Sequence, residues 1–132
     1  MEWTAAKAPT LDNIETLARE AFASLPEGFR ALCDDLVFMV QDFPDKSVVA
    51  EMELESDFDI LGLFHGADLA MREGGSHAAY PTMIFLYHRP ILDYWAEHDT
   101  TLGDIVRHIV IHEIGHHFGL SDDDMDRIEE RD

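Results

Sequence analysis

The segment TLGDIVRHIVIHEIGHHFGLSD, residues 101–122, holds two histidines four residues apart, His112 and His116, within a run dominated by isoleucine and valine. Thr101 followed by Asp104 resembles a capping pair, and Ile105, Val106, Ile109, Val110, Ile111 and Ile114 then fall on most sides of a helix. A helix that is apolar nearly all round belongs at the centre of a domain rather than on its surface. Imidazoles buried there without partners are destabilising, so the fold has to give these rings something to bind.

Residues four apart on a helix stand one turn above each other, so His112 and His116 present their rings on one side and can grip a single metal ion. Glu113 lies about 100° around from His112, near enough to reach a water on that ion and displaced from the ligand face. That position suits a general base. A catalytic zinc takes three protein ligands and keeps one place open. Gly119, lacking a Cβ, can adopt a left-handed conformation, end the helix and turn the chain so that Asp122 faces the two histidines. The pattern reads H-E-x-x-H-x-x-G-x-x-D. H-E-x-x-H alone occurs in unrelated helices; the glycine and the carboxylate at these offsets, inside an apolar helix, set this one apart.

The remaining histidines fit the pattern less well. His108 precedes His112 by one turn, but three imidazoles splayed along two turns cannot readily meet at one ion, so His108 is set aside as a ligand. His117 points elsewhere, and His65, His77, His88 and His98 lack a motif. Asp123 and Asp124 read as helix N-terminal charges favoured by the macrodipole, with either as a fallback ligand.

The segment resembles the zincin metallopeptidases, in the elongated metzincin-type motif with Asp in place of the usual third His. Over about the last hundred residues the chain is also similar to the small bacterial zincin-like family of minimal matrix-metalloprotease-like domains, in FLYHRPILDYW, VIHEIGHHFGLSD and DDMDRIEE. The resemblance implies an α+β zincin-like single domain over residues 1–132, with a small mixed β-sheet packed on a central metal-binding helix and an N-terminal helix. It also implies that His112, His116 and Asp122 bind Zn2+ and that Glu113 is the catalytic base. Only ten residues follow Asp122, which leaves little room for the Met-turn of larger relatives. Met125 is therefore expected to pack a terminal helix, DDMDRIEE.

A chain of 132 residues has the length of one domain and buries roughly two-thirds of the surface its unfolded form exposes. Ahead of the motif, Leu11, Ile14, Leu17, Ala18, Ala21, Phe22 and Leu25 space out an amphipathic helix behind a cap at Thr10 or Asp12. FRALCDDL suggests a short turn or helix, and LVFMVQDF, DILGLFHG and TMIFLYH read as strands. DKSVVAEMELESD fits a short helix as well as an edge strand. ADLAMREGGSHAAYP reads as a loop, and Pro90 suits the first turn of a helix through ILDYWAEH.

Charge narrows the function classes. Twenty-eight acidic residues against nine basic ones give a net charge of −19, which repels phosphate backbones, and the few basic residues are scattered, so nucleic acid is not an expected partner. The acidity serves solubility, with attraction of cations or basic partners as the alternative. The single cysteine, Cys33, permits no intrachain disulfide and is expected to be buried. MEWTAAKAPT lacks the basic and apolar parts of a secretion signal, and no run approaches the roughly 18 apolar residues of a membrane span. A cytoplasmic protein that does not enter membranes is expected; the oligomeric state is left open.

The expected reaction is hydrolysis of a peptide or protein substrate, with zinc polarising the carbonyl and Glu113 moving the proton. By resemblance, TMIFLYH is the edge strand along which the substrate lies, REGGSHAAYP is a lid, and Tyr80, Tyr87 and His88 are candidate oxyanion donors. Two other classes stay open: a catalytically silent metal-binding domain acting by protein interaction, and a metal-dependent ribonuclease, whose H-x-x-x-H-x-x-G motif overlaps this one. Glu113 and the net charge of −19 count against the ribonuclease.

Overall fold

The computed structural model describes residues 3–33, 35–65 and 82–130. Helix α1 spans Leu11–Ala23. Of its two candidate caps Thr10 serves: its hydroxyl accepts from the Asn13 N–H and the Asn13 side chain accepts from the Thr10 N–H, a reciprocal capping box. Ile14 and Ala18, one turn apart, form its buried face. A single turn, α2 (Glu27–Arg30), follows Pro26, and β1 occupies Val37–Gln41. The ambiguous stretch after it is helical, α3 (Lys46–Glu51). Strands β2 (Gly62–His65) and β3 (Met83–Tyr87) come next. Helix α4 (His88–Glu97) carries Pro90 in its first turn, where no intrahelical acceptor misses its N–H. Helices α5 (Leu102–His117) and α6 (Asp122–Glu130) complete the chain.

The three strands form a mixed sheet in the order β1-β3-β2, with β3 parallel to β1 and antiparallel to β2. TMIFLYH therefore runs through the middle and is not the expected edge. The reason lies in its surroundings: Ile84 and Leu86 are fully buried and Tyr87 nearly so. Ile84 and Leu86 share one face, Met83 and Phe85 of the other are only partly buried, and the strand pairs with a neighbour on each side.

One sheet face carries Phe38 and Val40 of β1, Ile84 and Leu86 of β3, and Gly62 and Phe64 of β2, opposite one another in register. Helices α1 and α5 lie across it. Phe38 meets Phe22 of α1 edge to face at 6.0 Å, with the Arg19 guanidinium 5.0 Å above its ring. On the β2 side the approach is closer still. A Cβ on Gly62 would stand 2.5 Å from Ile109 Cγ2 and 3.0 Å from the Phe85 carbonyl oxygen, so only glycine lets α5 lie this near the strand.

As its composition requires, α5 is central: Ile105, Val106, Ile109, Val110, Ile111, Ile114 and Gly115 are all buried. Thr101 caps it through the Asp104 N–H at 3.1 Å. Helix α6 returns along it, with the fully buried Met125 seated on Gly115, where a side chain would collide with its thioether. Arg107 of α5 donates to the carbonyls of Ile128 and Glu129 and so pins the far end of α6. Cys33 sits in the core. The architecture is the expected α+β one, a small mixed sheet on a central helix and an N-terminal helix. Among the described residues no helix is long and apolar enough to cross a membrane.

Candidate metal centre

Helix α5 ends as the sequence requires. Gly119 takes φ +76°, its N–H bonds the His116 carbonyl at 3.2 Å, and the Leu120 N–H reaches back to the Gly115 carbonyl at 2.9 Å. This pair of bonds is the Schellman arrangement, in which a left-handed residue satisfies the last carbonyls of the helix. Ser121 then caps α6, its hydroxyl accepting from the Asp124 N–H at 3.1 Å. Asp122 becomes the first residue of α6, at the positive end of its dipole.

The reversal brings Asp122 towards His116, with Oδ1 3.9 Å from Nε2 and both side chains well exposed. Two donors each about 2.0–2.1 Å from a tetrahedral ion stand roughly 3.3 Å apart. A small rotation of these two exposed side chains covers that difference. His112 lies one turn below, its ring 5.8 Å from that of His116 and steeply inclined to it at 73°. Its Nε2, however, faces another group, Oε1 of Glu129, at 3.0 Å. The donor set His112, His116 and Asp122 fits zinc in kind, two imidazoles and a carboxylate. In position it joins His116 to Asp122, and His112 to Glu129.

Glu113 is tied to the sheet. In the β2–β3 ladder the Leu61 carbonyl accepts from the Tyr87 N–H at 3.0 Å, so Phe64, three residues on, turns its N–H away from β3. That N–H donates to Glu113 Oε1 at 3.2 Å. Burial pushes the Glu113 carboxyl above its ordinary value, against the opposite pull of the Phe64 N–H and of the His116 and His112 rings. A carboxylate raised in this way is a better proton acceptor than an ordinary one.

Most of the other candidates have structural tasks. Both ring nitrogens of His88 are engaged, by Asp42 Oδ1 at 3.0 Å and the Pro9 carbonyl at 2.7 Å, which removes it as an oxyanion donor. Tyr87 is 1% exposed, and burial, with the charges of Asp45 and Glu113 adding to it, pushes its phenol up to about 12. Tyr80, His77 and the REGGSHAAYP segment lie outside the described residues. His117 packs its ring on Phe64 at 4.5 Å, and His98 on Tyr94 at 3.7 Å. Asp124 is bound to Arg127 at 2.7 Å, and that partner with Ser121 holds its carboxyl below the ordinary value. Asp124 thus serves the helix terminus.

Glu129 is the residue that motif reading misses. Its two oxygens reach His108 Nδ1 at 2.8 Å and His112 Nε2 at 3.0 Å. Partial burial alone would raise its carboxyl, but the two imidazole contacts outweigh that and hold it below the ordinary value. A signal for it exists. Glu129 lies about as far after Gly119 as His108 lies before it, so a helix folded straight back on α5 brings the two level.

Residues 33–131 match the model of a protein family described as zincin-like metallopeptidase, a span that takes in every described strand and both helices of the motif. No curated protein matches the chain.

Proposed function

The chain belongs to the zincin-like metallopeptidase family, and on that premise we propose that it is a zinc-dependent peptidase in which His112, His116 and Asp122 hold the ion and Glu113 is the general base. The observation that carries this reading is the setting of Glu113: half-buried, raised in pKa, fixed through Oε1 by the Phe64 N–H and flanked by the two motif imidazoles.

Zinc bound to this donor set supplies a Lewis acid for the scissile carbonyl and an attacking water more acidic than bulk water. With Oε1 anchored on the strand, Glu113 takes the water's proton on Oε2 and then delivers it to the nitrogen of the leaving amine. A substrate peptide lies extended along β2, an outer one of the described strands, and pairs with the outward backbone groups that Glu113 leaves free. Peptide or protein is the substrate class; the net charge of −19 opposes a nucleic acid. The lone buried Cys33 suits a reducing compartment such as the cytoplasm.

The contact of Glu129 with His112 Nε2 supports a second reading, a metal-binding domain that acts through protein contacts without turnover. A quenched-fluorescent peptide library, assayed alongside metal content by mass spectrometry, separates the two. Under the peptidase reading Glu113→Gln keeps the zinc and loses turnover, and Asp122→Ala loses both. Turnover unchanged by Glu113→Gln refutes the general-base role. Stoichiometric zinc in a wild-type protein inert across the library establishes the silent domain.

A further inference from the structure

Helix α5 carries a ladder of three histidines, His108, His112 and His116, each one turn from the next, and the lower pair has its own carboxylate. The rings of His108 and His112 stack at 3.9 Å, inclined by 24°. Oε2 of Glu129 meets His108 Nδ1 and Oε1 meets His112 Nε2, and one donor atom from each of the three residues lies within 4.8 Å of the others. These are the donor types that bind zinc and its neighbours, two imidazoles and a carboxylate.

The carboxylate is held in place from its own backbone. Arg107 clamps the Ile128 and Glu129 carbonyls to α5, and Met125 anchors the preceding turn on Gly115. The cluster is also reachable. Beside it lies a cavity of about 710 Å³ whose wall includes His108, Glu129, Asp104, His98 and Tyr94, and the His108 side chain is 55% exposed. An ion therefore has an entry path and space for a water in an open coordination position.

We propose that His108, His112 and Glu129 form a second divalent-metal site that competes with the motif set for a single atom, His112 Nε2. One nitrogen lone pair serves one ion, so the chain holds a metal in the lower site or in the upper site and never in both. An ion in the lower site lies away from Asp122 and leaves the upper set one donor short. The lower site is thus a resting position for the metal, separate from the hydrolytic arrangement proposed above.

The test uses metal-free full-length protein titrated with Zn2+ and with Co2+, read by isothermal calorimetry and by metal content after dialysis. Circular dichroism checks that each variant is folded. The His116→Ala/Asp122→Ala double variant, with the motif set removed, is expected to bind one ion per chain. Adding Glu129→Gln or His108→Ala weakens that binding by at least about tenfold, the low end of what loss of even an outer partner costs a metal site. Ring 15N shifts of His108 and His112 move together when Zn2+ enters the double variant. Wild type saturates at one ion.

A folded double variant that binds nothing, or binds as tightly after either addition, overturns the lower site. Two ions bound in wild type overturn the competition. Failure of the peptidase reading shows elsewhere, as turnover indifferent to Glu113→Gln.

Discussion

The backbone N–H of Phe64 donates to Glu113 Oε1 across 3.2 Å, which fastens the glutamate of the motif to strand β2, 49 residues away in the chain. That distance depends on how closely β2 approaches α5, and the approach depends on a glycine.

Gly62→Ala is therefore expected to destabilise the fold by about 1–3 kcal/mol, the usual range for overpacking. The added methyl meets Ile109 Cγ2 and the Phe85 carbonyl oxygen, and the second of these is backbone that cannot rotate aside. Urea denaturation of the metal-free protein measures it. Stability equal to wild type would show that strand and helix separate without strain.

The raised carboxyl of Glu113 makes metal-free stability depend on pH. Because its folded pKa lies above the unfolded value of about 4.3, the folded state holds the proton more tightly. The resulting contribution is complete below that unfolded value and is lost as pH rises through the folded one. Metal-free Glu113→Gln, which has no such proton to lose, should gain stability relative to wild type on going from acid to neutral pH. Melting curves at several pH values decide it, and a constant difference between the two proteins counts against a raised carboxyl.

Tyr87 predicts an effect at the alkaline end. A phenol pushed up to about 12 stabilises the fold fully below the ordinary value of about 10, and the contribution disappears as pH climbs through 12. In a spectrophotometric titration one of the three tyrosines should ionise late, and Tyr87→Phe should abolish that step. Persistence of the late step in Tyr87→Phe would assign it to another residue.

At Gly119, φ is +76° and a Cβ would meet nothing within 4 Å, so the demand for glycine there is conformational rather than steric. Gly119→Val should cost about 1–2 kcal/mol, the penalty of a left-handed L-residue, whereas Gly119→Asn should cost less, because asparagine tolerates that region. Since the same turn carries Asp122 towards His116, zinc affinity should fall in the same order. Equal effects from the two variants would detach the turn from the site.

The sequence already contained whatever depends on neighbours along the chain. Helical spacing sets His112 over His116 with Glu113 to one side, Gly119 reverses the chain, and Thr10 and Thr101 cap their helices, because backbone geometry and local hydrogen bonds act over a few residues. MIFLY was legible as a strand, but the expected edge position was not the observed one, because its central place depends on strands on either side.

Only tertiary packing decided which partners the polar groups find. His88 is fixed between Asp42 and Pro9, Glu113 rests on Phe64, and Glu129 spans His108 and His112. Each of these contacts joins segments brought together by burying apolar faces against one another, Met125 on Gly115 and Ile109 on Gly62. Spacing along the chain specifies which way a side chain points from its own helix. What meets it there is set by the register in which distant elements pack, and that register follows from shape and burial.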